Sequence, residues 1–530
     1  PTSVDMALSL GTALGALSLA WVEGAGSALP TRVLPNETVT FTLVLSRKRP
    51  SALADAVAAV SSPASPRFRQ YLSDDELAAL LEPSGLREVE EWLARDAPSA
   101  AIARRAHGSG QVLEVRARAA EVSRLLGVSL ARFGRLVRSA AQPAAPPPLP
   151  RRVATHVSAV LGIYHLPPPT PTRPTLRTAS ECDFKGDVVD PDVLARQYGW
   201  TGAKASGRVS QGVAAFEDAE FMPSDVAAFE AAYHLPNVTF SVKGPNDGGY
   251  FGEASLDTQY IAASGAGVPS WFLSQEAFDL ATWCEMVLTV RPLPTVWSIS
   301  WGGGESEYPV AEQRAADDCF ARAALKGVTV LAASGDDGTG SHGGWFGCKA
   351  FDPTYPASCP HVTSVGATYL TSGSETGWSY SGGGYSAVWP RPAWQDAAVA
   401  AYEARATMPP SSLYNSSGRV TPDVAALGTC YRVFSGGAAS GTLSGTSAAT
   451  PTFAGMVSRV NDILVSGGKP TVGFINPILY RGGTSVGTDI VEGNNKKRAC
   501  KAGFEATAGF DAVSGLGTPT WDRLFELLKG

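Results

Sequence analysis

Ser444-Gly445-Thr446-Ser447-Ala448-Ala449-Thr450-Pro451 is the stretch that decides the fold. Gly445 and Thr446 make a tight entry, and the amphipathic pattern that continues to about residue 464 predicts a helix starting here. Ser447 then lies at a helix N-terminus, where unpaired backbone N–H groups and the dipole favour a developing negative charge. Pro451 is read as part of the opening turns, where a missing N–H costs little. A bare Gly-Thr-Ser suits a helix cap better than a nucleophile.

Upstream, continuous apolar runs at 212–216, 295–300 and 327–333 alternate with helical stretches such as 311–325. This pattern predicts a buried parallel sheet with helices on its faces, and places chemistry outside the carboxyl ends of its strands. Two acidic segments compete for a role there. Gly252-Glu253-Ala254-Ser255-Leu256-Asp257 reads as the start of a helix with Glu253 and Asp257 on one face, four apart. Like charges at that spacing repel unless they share a proton; the alternative is a solvated helix face. Ser334-Gly335-Asp336-Asp337-Gly338 closes a buried strand. Asp336 there is either a turn residue capping its own backbone or, when protonated, a donor to an oxyanion. A serine nucleophile needs a base. His107, His156 and His165 fall in the N-terminal piece. His234, His342 and His361 remain; His234 precedes Leu235-Pro236 and His361 opens a strand after Pro360, contexts unlike that of a base.

The chain has 530 residues and a formal net charge of −6, which divides into +5 over residues 1–176 and −11 over 177–530. The acidic balance argues against nucleic acid as a partner. No apolar run reaches about 18 residues, which argues against a membrane span. All seven cysteines lie between Cys182 and Cys500 with no C-x-x-C pair, a usage that suits an oxidising compartment. Sequons begin at Asn36, Asn237 and Asn415. Residues 6–22 are Ala/Leu-rich and read equally as a signal remnant or an ordinary apolar stretch. Short strands and helices between residues 39 and 126 predict an α+β domain. The Pro-rich stretches 141–150 and 167–174 predict an extended linker open to proteolysis. The expected division is 1–176 and 177–530.

Taken together and in this chain order, Glu253-x-x-x-Asp257, Ser334-Gly335-Asp336-x-Gly338 and Ser444-Gly445-Thr446-Ser447-Ala448 resemble the sedolisin family of serine-carboxyl peptidases. Ser381-Gly382-Gly383-Gly384-Tyr385-Ser386, Trp389-Pro390-Arg391-Pro392, Pro422-Asp423-Val424 and Gly515-Leu516-Gly517-Thr518-Pro519 support it. Residues 253–257 and 410–415 look most like its lysosomal tripeptidyl-peptidase branch. The resemblance implies a subtilisin-like α/β fold with a parallel sheet, preceded by a ferredoxin-like inhibitory prodomain. It implies Ser447 as nucleophile, Glu253 as general base, Asp257 as its proton-sharing partner and Asp336 as oxyanion holder. Trp301-Gly302 resembles the strand whose backbone pairs with substrate.

The family's calcium site implies a structural Ca2+ on Asp489 and Asp511, with backbone carbonyls of Ile490, Thr507 and Gly509; hard oxygen ligands suit that ion. The family usually has Gly where Thr507 stands, and the nearby Lys496-Lys497-Arg498 would oppose a cation unless turned away. The implied activity is acid-dependent release of tripeptides from free N-termini of peptides and unfolded proteins, by an enzyme made as a zymogen. An endopeptidase of the same family is the alternative, and an inert binding protein on this scaffold is a third reading. A carboxylate base, with an ordinary pKa near 4 against about 6.5 for His, predicts an optimum well below neutral. An acidic lysosomal or secreted setting follows. The +5 piece against the −11 piece predicts mutual attraction that weakens with acid, with release and cleavage between residues 170 and 182. Cys348 and Cys500 form a candidate disulfide pair.

Overall fold

The computed structural model describes residues 30–133, 136–140, 148–164, 187–200, 204–249, 252–340, 349–496 and 501–530. The N-terminal residues 6–22, the 170–182 cleavage region and the Cys348–Cys500 pair fall outside them.

The main sheet of the N-terminal piece has four strands: β1 (Thr38–Leu45), β2 (Ala101–Arg104), β3 (Val112–Arg118) and β4 (Val157–Leu161). They form an antiparallel sheet in the order β2-β3-β1-β4, the ferredoxin-like order expected. β1 alternates exposed and buried residues at its start because only one face of this sheet is covered from within. Helices α1 (Ala52–Ser61), α2 (Leu86–Asp96) and α3 (Ala119–Leu126) fill the connections. Trp92, Leu93, Val122 and Leu126 of α2 and α3 pack on Phe41, Leu43, Leu113 and Val115 of the sheet.

The larger piece is built on eight strands: β5 (Gln211–Phe216), β6 (Phe240–Lys243), β7 (Ser270–Gln275), β8 (Val296–Ile299), β9 (Thr329–Ala333), β10 (Thr363–Thr371), β11 (Ser374–Gly377) and β12 (Val424–Leu427). The order is β11-β10-β9-β8-β5-β7-β6, with β12 also paired to β10. Every pairing is parallel except β10 with β11. β5 is buried on both faces, as its unbroken apolar sequence requires. Gly212 lets Trp297 of the neighbouring strand lie flat against it, since a Cβ there would sit 2.4 Å from the indole.

Two helices bear on the chemistry. α4 (Gly252–Gly265) is buried at every residue from Glu253 to Gly265, so the solvated-face reading of its carboxylates fails. α7 (Thr446–Ser466) packs against α4 and the sheet. Their crossing is close because small residues meet there: a Cβ on Gly455 would lie 2.1 Å from Ser264 Oγ and 2.5 Å from the Gly265 nitrogen.

α5 (Leu280–Val287) and α6 (Val310–Leu325), joined by the Cys284–Cys319 disulfide, carry the N-terminal domain. Cys430 is also disulfide-bonded and Cys359 is a buried free thiol. Leu53, Val57, Val60 and Leu77 pack on Ala321, Ala324 and Leu325, while Val44 and Leu161 join the core of the larger piece itself. Arg47 holds Asp318 through both guanidinium ends, at 2.5 and 3.2 Å. Lys326 reaches Asp74 at 2.8 Å, a pair of reversed polarity, so the opposite net charges of the two pieces describe this contact only in part.

Candidate active site

β8 and β9 are adjacent and parallel, with Ile299 opposite Ala332. Ser300 and Ser334-Gly335-Asp336 therefore leave the sheet side by side at its carboxyl edge. The N-termini of α4 and α7 converge on the same point. Glu253 stands in the first turn of α4, and Ser447 is the second residue of α7. The structure thus assembles the four residues expected to carry catalysis, and all are nearly inaccessible: Glu253 3%, Asp257 0%, Asp336 6% and Ser447 3% exposed.

Asp336 is fixed through Oδ1, which accepts from the Thr446 backbone N–H (2.8 Å) and hydroxyl (2.9 Å). Gly335 N–H in turn donates to Thr446 Oγ1 at 3.1 Å. Gly445 is demanded by this approach, because a Cβ there would lie 2.7 Å from Asp336 Oδ2. The carboxyl is thereby held against the start of α7.

Pro451 sits inside α7 rather than in its opening turn. It cannot donate to the Ser447 carbonyl four residues back, so that carbonyl needs another donor. Ser300 Oγ supplies it at 3.3 Å and also meets Asp257 Oδ1 at 2.7 Å. A hydroxyl carries one proton. A protonated Asp257 satisfies both contacts: its O–H donates to Ser300 Oγ, whose own proton goes to the Ser447 carbonyl. Ser447 Oγ lies 3.5 Å from the Ser300 carbonyl.

Burial, with the Asp257 and Asp336 carboxyls adding to it, pushes Glu253 well above the usual carboxylate range; the Ser447 and Ser300 hydroxyls oppose the shift. Burial likewise drives Asp257 well up, against Ser300. Both Glu253 oxygens and Asp257 Oδ2 are buried without a hydrogen-bond partner. No direct Glu253–Asp257 hydrogen bond is therefore formed; the two are coupled by proximity and by Ser300. Catalytic hydrogen bonds often tighten only once substrate is in place. Ser300 was not singled out in the sequence and Thr446 was read only as part of the tight entry to the helix, since each lies in a segment whose signal belongs to its neighbours. His361, excluded as a base, is tied to Asp317 at 2.9 Å.

At the second predicted site the structure joins Asp489 to Gly509 and Asp511 to Thr507. Asp489 Oδ2 accepts from Gly509 N–H at 2.7 Å, and Asp511 accepts from the backbone of Thr507, Val513 and Ser514. Asp489 Oδ1 is buried without a hydrogen-bond partner, which fits a cation. Lys496 is engaged by Glu505. Arg405 lies beside Gly509 and donates to the Phe510 carbonyl at 2.8 Å.

A wholly buried serine and carboxyl cluster at the carboxyl edge of a subtilisin-like sheet, under an N-terminal activation domain, defines a serine peptidase of the sedolisin type. The Pro-kumamolisin activation domain family matches residues 25–166, and the subtilase family matches 285–464. Tripeptidyl-peptidase 1 from Pan troglodytes is 33% identical over 543 residues, spanning 94% of this chain and 92% of that protein. The Bos taurus protein of the same name is 34% identical over 542 residues, with the same coverage. A Pseudomonas sedolisin (serine-carboxyl proteinase) complexed with two molecules of pseudo-iodotyrostatin shares the fold, with a TM-score of 0.53, 24% identity, and coverage of 64% of this chain and 98% of that one. The chain belongs to the tripeptidyl-peptidase 1 family, and it is a hydrolase made with an activation domain.

An asparagine at 336 keeps an oxygen for Thr446 and donates an N–H at every pH, whereas a carboxyl donates only when protonated. Asp336→Asn is expected to hold kcat further toward neutral pH than the parent. Asp336→Ala should cost about 10²–10³-fold in kcat. Profiles of kcat against pH for the three proteins check this.

Proposed function

We propose that the acid-matured chain releases tripeptides from the free N-termini of peptides and unfolded proteins, using Ser447 as nucleophile. The observation that carries the mechanism is the convergence of Ser447 with two buried carboxyls whose charged forms are disfavoured. Ser447 Oγ attacks the scissile carbonyl and its proton passes to Glu253. Asp257, protonated and fixed by Ser300, keeps negative charge off its own carboxyl so that Glu253 is the one that ionises. Asp336, protonated, donates to the oxygen of the tetrahedral intermediate. Glu253 then returns the proton to the leaving amine, and water resolves the acyl-enzyme by the reverse sequence. Such a site requires Glu253 ionised and Asp336 neutral together, which gives a bell-shaped profile on the acid side of neutrality.

The resemblance to tripeptidyl-peptidase 1 over nearly the whole chain supports the exopeptidase reading over the endopeptidase one. The N-terminal domain, seated on α5 and α6, acts as an intramolecular inhibitor until acid loosens it. An acid optimum suits a lysosomal or secreted enzyme; no helix among the described residues is long and apolar enough to cross a membrane. The exposed sequon residues Asn36 and Asn237 suit glycosylation. Asp489 and Asp511, with the carbonyls of Ile490, Thr507 and Gly509, would hold Ca2+ and brace the C-terminal segment.

The matured enzyme is expected to cleave a free-amine tripeptidyl amide faster at pH 4 than at pH 7, and to reject its N-acetyl counterpart. Ser447→Ala should lose roughly 10⁴-fold or more. Equal cleavage of the acetylated substrate favours the endopeptidase reading, and a rate maximum at pH 7 or above contradicts the carboxyl mechanism. Heating with and without a calcium chelator tests the ion: a lower Tm with chelator is expected, and an unchanged Tm counts against the site.

A further inference from the structure

The two-residue period of the N-terminal strands decides what the sheet shows to the larger piece. Phe41, Leu43 and Leu45 of β1 turn into the domain's own core, so Thr42 and Val44 face α5 and α6. The two surfaces do not meet flush. They leave a cavity of about 280 Å³, walled on one side by β1, β3 and β4 and on the other by α5, α6 and the end of β6. A cavity of about 150 Å³ holds benzene, so this space admits a molecule of that size or somewhat larger.

Six charged side chains line the cavity, and they are unequally engaged. Glu114 is held by Arg105 at 2.8 Å, Asp318 by Arg47 at 2.5 and 3.2 Å, and Glu285 by Arg322. Each lining carboxylate therefore already has an arginine. The donors have capacity left over. Arg322 is 2% exposed; Nη2 meets Glu285, while Nε and Nη1 are buried without a hydrogen-bond partner. Lys243 Nζ donates to the Thr289 hydroxyl at 2.8 Å, whose own proton goes to the Met286 carbonyl at 2.7 Å. Among the described residues no carboxylate answers the Lys243 charge. Burial, with the Arg105 guanidinium adding to it, holds this ammonium below the usual lysine range. Glu285 and Thr289 are four residues apart, so Arg322 and Lys243 stand along one side of α5 and the turn that follows it. The remaining wall is largely apolar, with Val44, Val112, Leu161, Ala281 and Met286. The neighbouring carboxylates disfavour a dianion, and the apolar wall favours a short hydrocarbon.

We propose that this cavity binds a small aliphatic monocarboxylate, with one oxygen on Lys243, the other on Arg322, and the tail against Val44, Val112 and Leu161. A carboxylate has an acceptor for each cation, and both bonds are charge-assisted. The walls come from both pieces of the chain, so the ligand binds only while the N-terminal domain is seated. By mass action it then holds that domain in place. This restraining role rests on the reading of the domain as an intramolecular inhibitor; the binding itself does not.

Calorimetric titration of the full chain in a Ser447→Ala background tests the site at pH 6.5, with hexanoate, hexanamide and inorganic phosphate as probes. Saturable binding of hexanoate is expected, and none of the other two at the same concentration. Lys243→Gln, at a half-buried position, should weaken hexanoate at least about tenfold, the scale of a lost charge-assisted hydrogen bond. Arg322→Lys, which keeps a cation beside Glu285, should weaken it too, and the matured enzyme without its N-terminal domain should not bind. Absent binding, an unchanged affinity in Lys243→Gln, or equal affinity in the matured enzyme overturns the site. Phosphate or hexanamide binding as tightly as hexanoate overturns the carboxylate assignment. Hexanoate should also slow self-processing of the parent chain at pH 5; binding without slowing overturns the restraining role while the site stands.

Discussion

Two carboxyl groups on one helix face are buried where neither can easily be charged. Glu253 and Asp257 belong to a helix with no solvated side, and most of the local architecture follows from that constraint. Taking a carboxylate out of water is costly unless it is paired or protonated. Among the described residues, no cation bonds to this pair. The site offers instead the N-terminus of a helix and the hydroxyls of Ser300 and Ser447. That environment tolerates one negative charge far better than two, which is what a general base beside a proton-holding partner needs.

The same economy governs how the nucleophile is held. Pro451 removes one backbone donor from α7, and Ser300 replaces it while also engaging Asp257. A single hydroxyl at the end of β8 therefore ties α4 and α7 together. Small residues at the crossing of α4 and α7 allow the approach, since Gly455 leaves room for Ser264 and Gly265. Asp336 is locked to Thr446 by two hydrogen bonds, so its carboxyl moves with the start of α7.

The sheet and its polarity were legible because buried parallel strands read as unbroken apolar runs: 212–216, 295–300 and 327–333 each match a strand to within two residues at either end. In the prodomain the runs at 39–45 and 111–115 were legible as β1 and β3 while β2 and β4 were not singled out, and the 4-1-3-2 order followed from the family resemblance rather than from periodicity. Glu253 and Asp257 were visible as a spaced pair, but spacing could not say whether their face met water or protein. That depended on long-range packing against α7, which no local pattern encodes. Pro451 was misread for a related reason: its cost depends on where the helix begins and on a serine 151 positions upstream. The Cys284–Cys319 bridge was missed because sequence spacing carries no pairing information.

The central claim is that Glu253 is held with its neutral form favoured, and stability against pH reads this directly. A carboxyl whose folded-state pKa is raised stabilises the fold below its unfolded pKa, about 4.3, and that contribution is lost as pH rises through the folded value. Glutamine at 253 has the neutral shape at every pH. Thermal unfolding of the full chain in a Ser447→Ala background, which prevents self-processing, should therefore be compared with and without Glu253→Gln from pH 3 to pH 7. The account predicts nearly constant separation below about pH 4 and a growing Tm advantage for the glutamine variant toward neutrality. Two curves that stay parallel across the whole range would contradict it.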